Sequence, residues 1–196
     1  MWEHFSHTLV TRLQRVGWIY FANNFYVESA SDFSVPTPRQ PLQLVQITPE
    51  NCARVQDFRP AYRRAEYAMK LEKGEVGYFA VMAGTMVGSI WATINRTSAP
   101  CVARGYMWLR PGEALIHDVV AGEGFRGMGV GPFMVGSFLV ALLDQYMVSK
   151  VIIDVSVRNR PSLRMMAKAG LYAKDATLSV SAFGSLKWKF TMCPRN

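Results

Sequence analysis

The stretch Phe125-Arg126-Gly127-Met128-Gly129-Val130-Gly131 follows an apolar, β-branched run at residues 115–120. It precedes a long apolar helical pattern at residues 133–147. This reads as a strand, a glycine-rich turn and a helix N-terminus. Backbone N–H groups in such a turn have no intrahelical acceptor, and the helix dipole adds partial positive charge there. Glycine lets the backbone approach an anion without Cβ interference and adopts positive φ where a turn needs it. The amides of Arg126, Gly127, Met128, Gly129, Val130 and Gly131 therefore form a candidate phosphate cradle. Pro132 falls in the first helical turn, where its missing N–H costs little.

Composition bounds the possibilities. The chain has 196 residues, 50% of them hydrophobic and 18% charged, enough apolar material for a core and too much for disorder. The net charge of +8 is uneven. From residue 151 onward there are eight Lys/Arg (Arg158, Arg160, Arg164, Lys168, Lys174, Lys187, Lys189 and Arg195) against Asp154 and Asp175. A basic C-terminal third points to an anionic ligand or surface. Nucleic acid is not expected, because no helix-turn-helix, zinc or stacking-aromatic motif accompanies the charge. Cys52, Cys101 and Cys193 lie far apart, without zinc spacing, and read as reduced thiols in a cytoplasmic protein with no metal. No apolar run is long enough to cross a membrane, and no signal peptide is expected.

Two units are expected. In residues 1–41, an amphipathic helix at 6–26 repeats Phe5, Leu9, Leu13, Val16 and Tyr20 at three- and four-residue steps, with Arg12 and Arg15 between them. It reads either as a helix docked on the domain or on a second subunit of a homodimer, or as peripheral contact with the inner membrane surface. A linker with Pro36, Pro38 and Pro41 ends this unit. Residues 42–196 then read as a strand at 42–47, a helix opened by Thr48-Pro49-Glu50 and a helix at 60–72. Strands follow at 77–82, 86–94, 104–109 and 115–120. After the glycine turn come a helix at 130–147, a strand at 151–157, a helix at 161–169 ended by Gly170, and closing strands at 172–183 and 186–192. The class is α+β: a central, mostly antiparallel mixed sheet of about seven strands with about four helices, the glycine turn feeding a crossover.

With these elements in place, residues 42–192 resemble the GNAT superfamily of acyl-CoA N-acyltransferases. One motif is Arg126-x-x-Gly129-x-Gly131. The other is Asn159-x-x-Ser162, followed by Lys168-Ala169-Gly170-Leu171. The resemblance implies acetyl-CoA or another acyl-CoA as donor, or the phosphopantetheine of an acyl-carrier protein. It implies that the loop holds the pyrophosphate and that the backbone of Val119, Val120 and Ala121 pairs with the pantetheine arm. Asn159 and Ser162 complete this cofactor set. Arg158 and Arg160 read either as partners of the nucleotide phosphates or as a solvated basic face.

Transfer to an amine needs a base, because the free amine is normally an ammonium. His117, on the strand entering the glycine turn, is one candidate, and its ordinary pKa suits the task. The other reading is a structural histidine in a half-buried strand. Asp118 is the second catalytic candidate. In a regular strand the two side chains point to opposite faces, so both reach one acceptor only if a bulge intervenes. Met166 stands where many relatives carry a tyrosine that protonates the leaving thiolate, which leaves Tyr172 or water for that role. Met128, Met134, Met165 and Met166 read as core or as a channel for a longer acyl chain. The acceptor is a small-molecule amine or amino sugar, or a protein amine. A long-chain N-acyltransferase served by an acidic carrier protein is the alternative, and a non-catalytic CoA-binding module is a second.

Overall fold

The structure is a computed structural model that describes residues 17–104, 107–182 and 186–192. Its main sheet has eight strands: β1 (Gly17–Val27), β2 (Gln43–Gln46), β3 (Val76–Met82), β4 (Thr85–Ile94), β7 (Glu113–Ala121), β8 (Lys150–Ser156), β9 (Asp175–Ala182) and β10 (Leu186–Met192). Their spatial order is β10-β9-β1-β8-β7-β4-β3-β2, and only β7 and β8 run parallel. Two short strands, β5 (Cys101–Arg104) and β6 (Met107–Leu109), form a separate two-stranded antiparallel sheet where one strand was expected. The helices are α1 (Arg63–Glu72), α2 (Val130–Asp144) and α3 (Arg160–Lys168). The expected α+β class with a mixed sheet holds.

Two expectations are overturned. Residues 17–26 were read as the second half of a helix, yet β1 is an internal strand between β8 and β9, antiparallel to both. The aromatic and β-branched run Trp18-Ile19-Tyr20-Phe21 through Phe25-Tyr26-Val27 suits a pleated surface better than a helix. The helical periodicity came from Phe5, Leu9 and Leu13, which lie outside the described residues. Residues 48–50 open no α-helix either. The Thr48 carbonyl accepts from Asn51 and Cys52, and a 3₁₀ turn follows at Cys52–Asp57.

The sheet separates two faces. On one, α2 and α3 cover a core that joins Val151, Ile153 and Val155 of β8 to Met134, Phe138 and Leu142 of α2 and to Met166 of α3. Eight residues of α2 are buried, and each large apolar side chain so placed contributes about 1.5–3 kcal/mol. On the opposite face, α1 and the 3₁₀ turn cover Ile47, Val55, Phe79, Trp91 and Tyr67. Residues 34 and 35 cross α2 at Gly136, where a Cβ would stand 2.8 Å from the Ser34 carbonyl oxygen.

Candidate active site

Strands β7 and β8 pair only from Glu113 and Lys150 to Ile116 and Ile153. Past that point β7 stays with β4, while β8 stays with β1. The cause is a bulge: Trp91 opposes His117 but Ser89 opposes Val120, so β7 carries one extra residue. Asp118 absorbs it at φ 48, the left-handed region. The parted strands leave a wedge of about 250 Å³ walled by His117, Asp118 and Val119 on one side and Asp154, Val155 and Ser156 on the other. Asn159, Ser162, Met165 and Met166 close its α3 side, and Tyr20 of β1 joins them. The β7 edge at Val119, Val120 and Ala121 has no β8 partner, so an extended chain can pair with it as an added strand.

The glycine turn leads from the end of β7 into α2. Gly127 and Gly129 have φ of 80 and 88, and Gly129 is the N-cap. Val130 and Gly131 are the first helical residues, so their N–H groups lack intrahelical acceptors. A Cβ on Gly131 would meet Met165 Sδ at 2.6 Å. Met165 thus links the turn to the wedge it lines. Val130 is buried and Met128 packs against the helix-side core, which leaves the backbone rather than side chains to face a ligand. Arg126 is largely exposed and sits 3.5 Å from the still more exposed Glu123. The Asn159 side-chain Oδ1 accepts the Ser162 N–H at 3.2 Å, capping α3, so the Asn-x-x-Ser spacing has a local structural cause as well as a place in the wedge wall.

The bulge brings His117 and Asp118 to the same face of the sheet, the one covered by α1. Asp118 accepts from Lys70 Nζ, and Arg59 Nη1 lies 3.2 Å from its Oδ2. Burial raises the Asp118 pKa, but the Lys70 hydrogen bond and the charges of Lys70 and Arg59 outweigh it, leaving the carboxyl below its ordinary value. Lys70 Nζ also stands over the Trp91 and Tyr67 rings. Tyr67 is bonded to Ser89, and burial pushes its hydroxyl up. His117 Nε2 lies 3.2 Å from Thr93 Oγ1 and 3.3 Å from Glu75 Oε2. That carboxylate oxygen is buried, and with Nε2 facing it and Thr93, Nδ1 is the ring nitrogen turned away from both.

Arg59, Lys70, Glu75 and Thr93 come from separate segments with no motif spacing, so the sequence gives no signal for them. Tyr20, whose hydroxyl donates to Asp154 Oδ2 at 2.8 Å, was hidden in the misread helix. Met166 is buried in the wedge wall, whereas Tyr172 is 77% exposed. Among the described residues no group of three or more His, Cys, Asp or Glu could hold a metal ion.

Comparisons with known proteins agree with this architecture. The sequence profile of the acetyltransferase (GNAT) family matches residues 43–171. A search of curated protein sequences returns no match. Among solved structures, the chain is similar to a tandem GNAT protein from the clavulanic acid biosynthesis pathway (18% identity, TM-score 0.56), covering 91% of this chain and 55% of that one. It is similar to a GCN5-related N-acetyltransferase from Kribbella flavida (13% identity, TM-score 0.54; 97% of this chain, 64% of that). It is also similar to AAC(6')-Iy in complex with the bisubstrate analogue CoA-S-monomethyl-acetylneamine (14% identity, TM-score 0.51; 67% of this chain, 90% of that). The chain spans 55% and 58% of the first two solved structures it matches. At these identities the structural likenesses speak for the fold; the profile match, over most of the chain, speaks for the family. The chain belongs to the acetyltransferase (GNAT) family.

Proposed function

We propose that the protein transfers an acyl group, acetyl foremost, from acyl-CoA to a primary amine by direct attack of the amine on the thioester. One observation carries the reading: the wedge between β7 and β8 has an open strand edge and stands beside a helix N-terminus headed by positive-φ glycines. These residues fit coenzyme A. The amides of the 127–131 turn suit the pyrophosphate, the backbone of Val119 to Ala121 suits the amides of the arm, and Asn159 and Ser162 suit the facing wall. The AAC(6')-Iy neighbour, solved with a CoA-based analogue, supports the same donor. When bound, the donor supplies a thioester carbonyl as acyl source.

The chain's own groups then divide the work. His117, oriented through Nε2 by Glu75 and Thr93, takes the ammonium proton at Nδ1, directly or through a water. Asp118 is a poor base, because two cations hold it ionised and occupied. Its role is to neutralise Lys70 and Arg59 and to fix α1 against the bulge, as a positioning residue. Burial of His117 and Asp118 beneath α1 keeps bulk water from the reacting centre.

A longer acyl chain is the second reading, favoured by the soft side chains of Met165 and Met166 in the wedge wall. The test is thiol release. Purified protein is incubated with a panel of primary amines and either acetyl-CoA or palmitoyl-CoA. Amine-dependent thiol release from acetyl-CoA is the expected result; release from palmitoyl-CoA alone moves the assignment to long chains. Failure of CoA to raise the melting temperature overturns the donor assignment.

A further inference from the structure

Strands β1 and β10 leave large apolar side chains exposed. Ile19 and Phe21 of β1 are 67% and 38% exposed, and Trp188, Phe190 and Met192 of β10 are 45%, 54% and 43% exposed. The register places them together: Ile19 and Trp188 both oppose Val180, and Phe21 and Phe190 both oppose Leu178. Opposed residues share a face. Phe25 and Val27, further along β1 at the same parity, belong to the core under α2 and α3. The apolar patch is therefore the uncovered continuation of that helix-side face. The opposite face of these strands buries polar groups instead: Asn24, Thr177 and Ser179.

The acids of this part of the chain keep to the polar face, where the exposed Lys189 also lies by register. Between residues 151 and 196 the sequence has two acids, Asp154 and Asp175. Asp154 accepts from Tyr20, and Asp175 accepts from Asn24 and Tyr26, all on the polar face. On the helix side, α3 packs into the core through Leu163 and Met166 and exposes Arg160, Arg164 and Lys168, a stripe at four-residue steps. The helix-side face of this end of the molecule thus combines an aromatic and aliphatic patch with a row of cations and no acid from the C-terminal third.

We propose that this face docks on an anionic phospholipid surface, Trp188, Phe190 and Ile19 entering the headgroup–acyl boundary and the α3 cations meeting lipid phosphates. The side chains are the kind that partition at that boundary, and juxtamembrane cations add attraction to anionic lipid. A second copy seated face to face would oppose like charges, which disfavours the patch as a twofold interface. The contact is distinct from one through residues 1–16, because every residue invoked lies in β1, β10 or α3.

Vesicle flotation of the full chain tests it. Binding is expected to vesicles of phosphatidylcholine carrying about one third phosphatidylglycerol, with little to phosphatidylcholine alone. Trp188→Ser with Phe190→Ser should lower the bound fraction about tenfold or more. A second variant, Arg164→Glu with Lys168→Glu, should lower it comparably and remove its salt dependence, and it leaves the sheet untouched if the first variant fails to fold. Absence of flotation on anionic vesicles overturns the proposal. So does flotation indifferent to both variants, which would assign binding to another segment. So does a dimer in light scattering that the Trp188→Ser/Phe190→Ser variant dissociates.

Discussion

At the residue scale, the bulge at Asp118 decides the roles of two neighbouring titratable side chains. In a regular strand His117 and Asp118 would part company; one extra residue in β7 turns both toward α1. His117→Ala is expected to lower kcat/KM about 100-fold or more and to change the shape of its pH–rate profile. An unchanged pH–rate profile would remove His117 as the base. Asp118→Asn should instead be felt mainly as stability. Lys70, Arg59 and the Asp118 side chain are only 12–18% exposed, so removing the anion strands two partly buried cations. A loss of about 2–4 kcal/mol is expected by denaturant unfolding. The Asp118 carboxyl is held below the ordinary carboxylate pKa of about 3.9, so its contribution is fully present above about pH 5 and fades as pH falls through the lower folded-state value. The difference between wild type and Asp118→Asn should accordingly be flat from neutral pH to about 5 and shrink below about 4. His117 and Asp118 were visible in the sequence because they precede a recognisable turn. Arg59, Lys70, Glu75 and Thr93 were not, because only the closed sheet brings them to that turn.

At the element scale, close approach between neighbouring strands and helices shapes the wedge. A Cβ on Gly88 of β4 would lie 2.7 Å from the Val120 carbonyl oxygen and 3.1 Å from Met134. Gly88→Ala must therefore push β7 at the edge proposed for the donor. It is expected to weaken CoA binding by at least about tenfold, read by calorimetry, along with a destabilisation of about 1–3 kcal/mol. At Gly129 the constraint is conformational. With φ of 88, alanine there costs about 1–2 kcal/mol in the native turn and should raise KM for the acyl donor more than it lowers kcat. An unaltered donor KM in Gly129→Ala would detach the turn from donor binding. Strand, glycine turn and helix were legible because each follows from local chemistry: β-branched residues, glycines and a long apolar repeat. Strand β1 was not, because Tyr20 continues the helical spacing of Leu9, Leu13 and Val16, and only its pairing with β8 and β9 decides its form.

At the scale of the whole molecule, the N-terminal strand is an internal member of the sheet, and the order β10-β9-β1-β8 makes residues 17–27 a bridge between β8 and the closing hairpin. A chain lacking residues 1–27 is expected to lose cooperative thermal unfolding, because β8 and β9 would each lose the partner strand between them. The same bridge gives the wedge its far bank, since Asp154, Val155 and Ser156 are held by Asn24, Asn23 and Ala22 while β7 bends away. The parting of β7 from β8 is thus a property of the whole sheet, and the donor site follows from it. The most direct test is a crystal structure of the protein with coenzyme A. The account predicts the pantetheine arm lying between β7 and β8, its amides paired with Val119 to Ala121, and the pyrophosphate on the amides of Gly127 to Gly131. Coenzyme A bound elsewhere, with the wedge closed or filled by side chains, would contradict it.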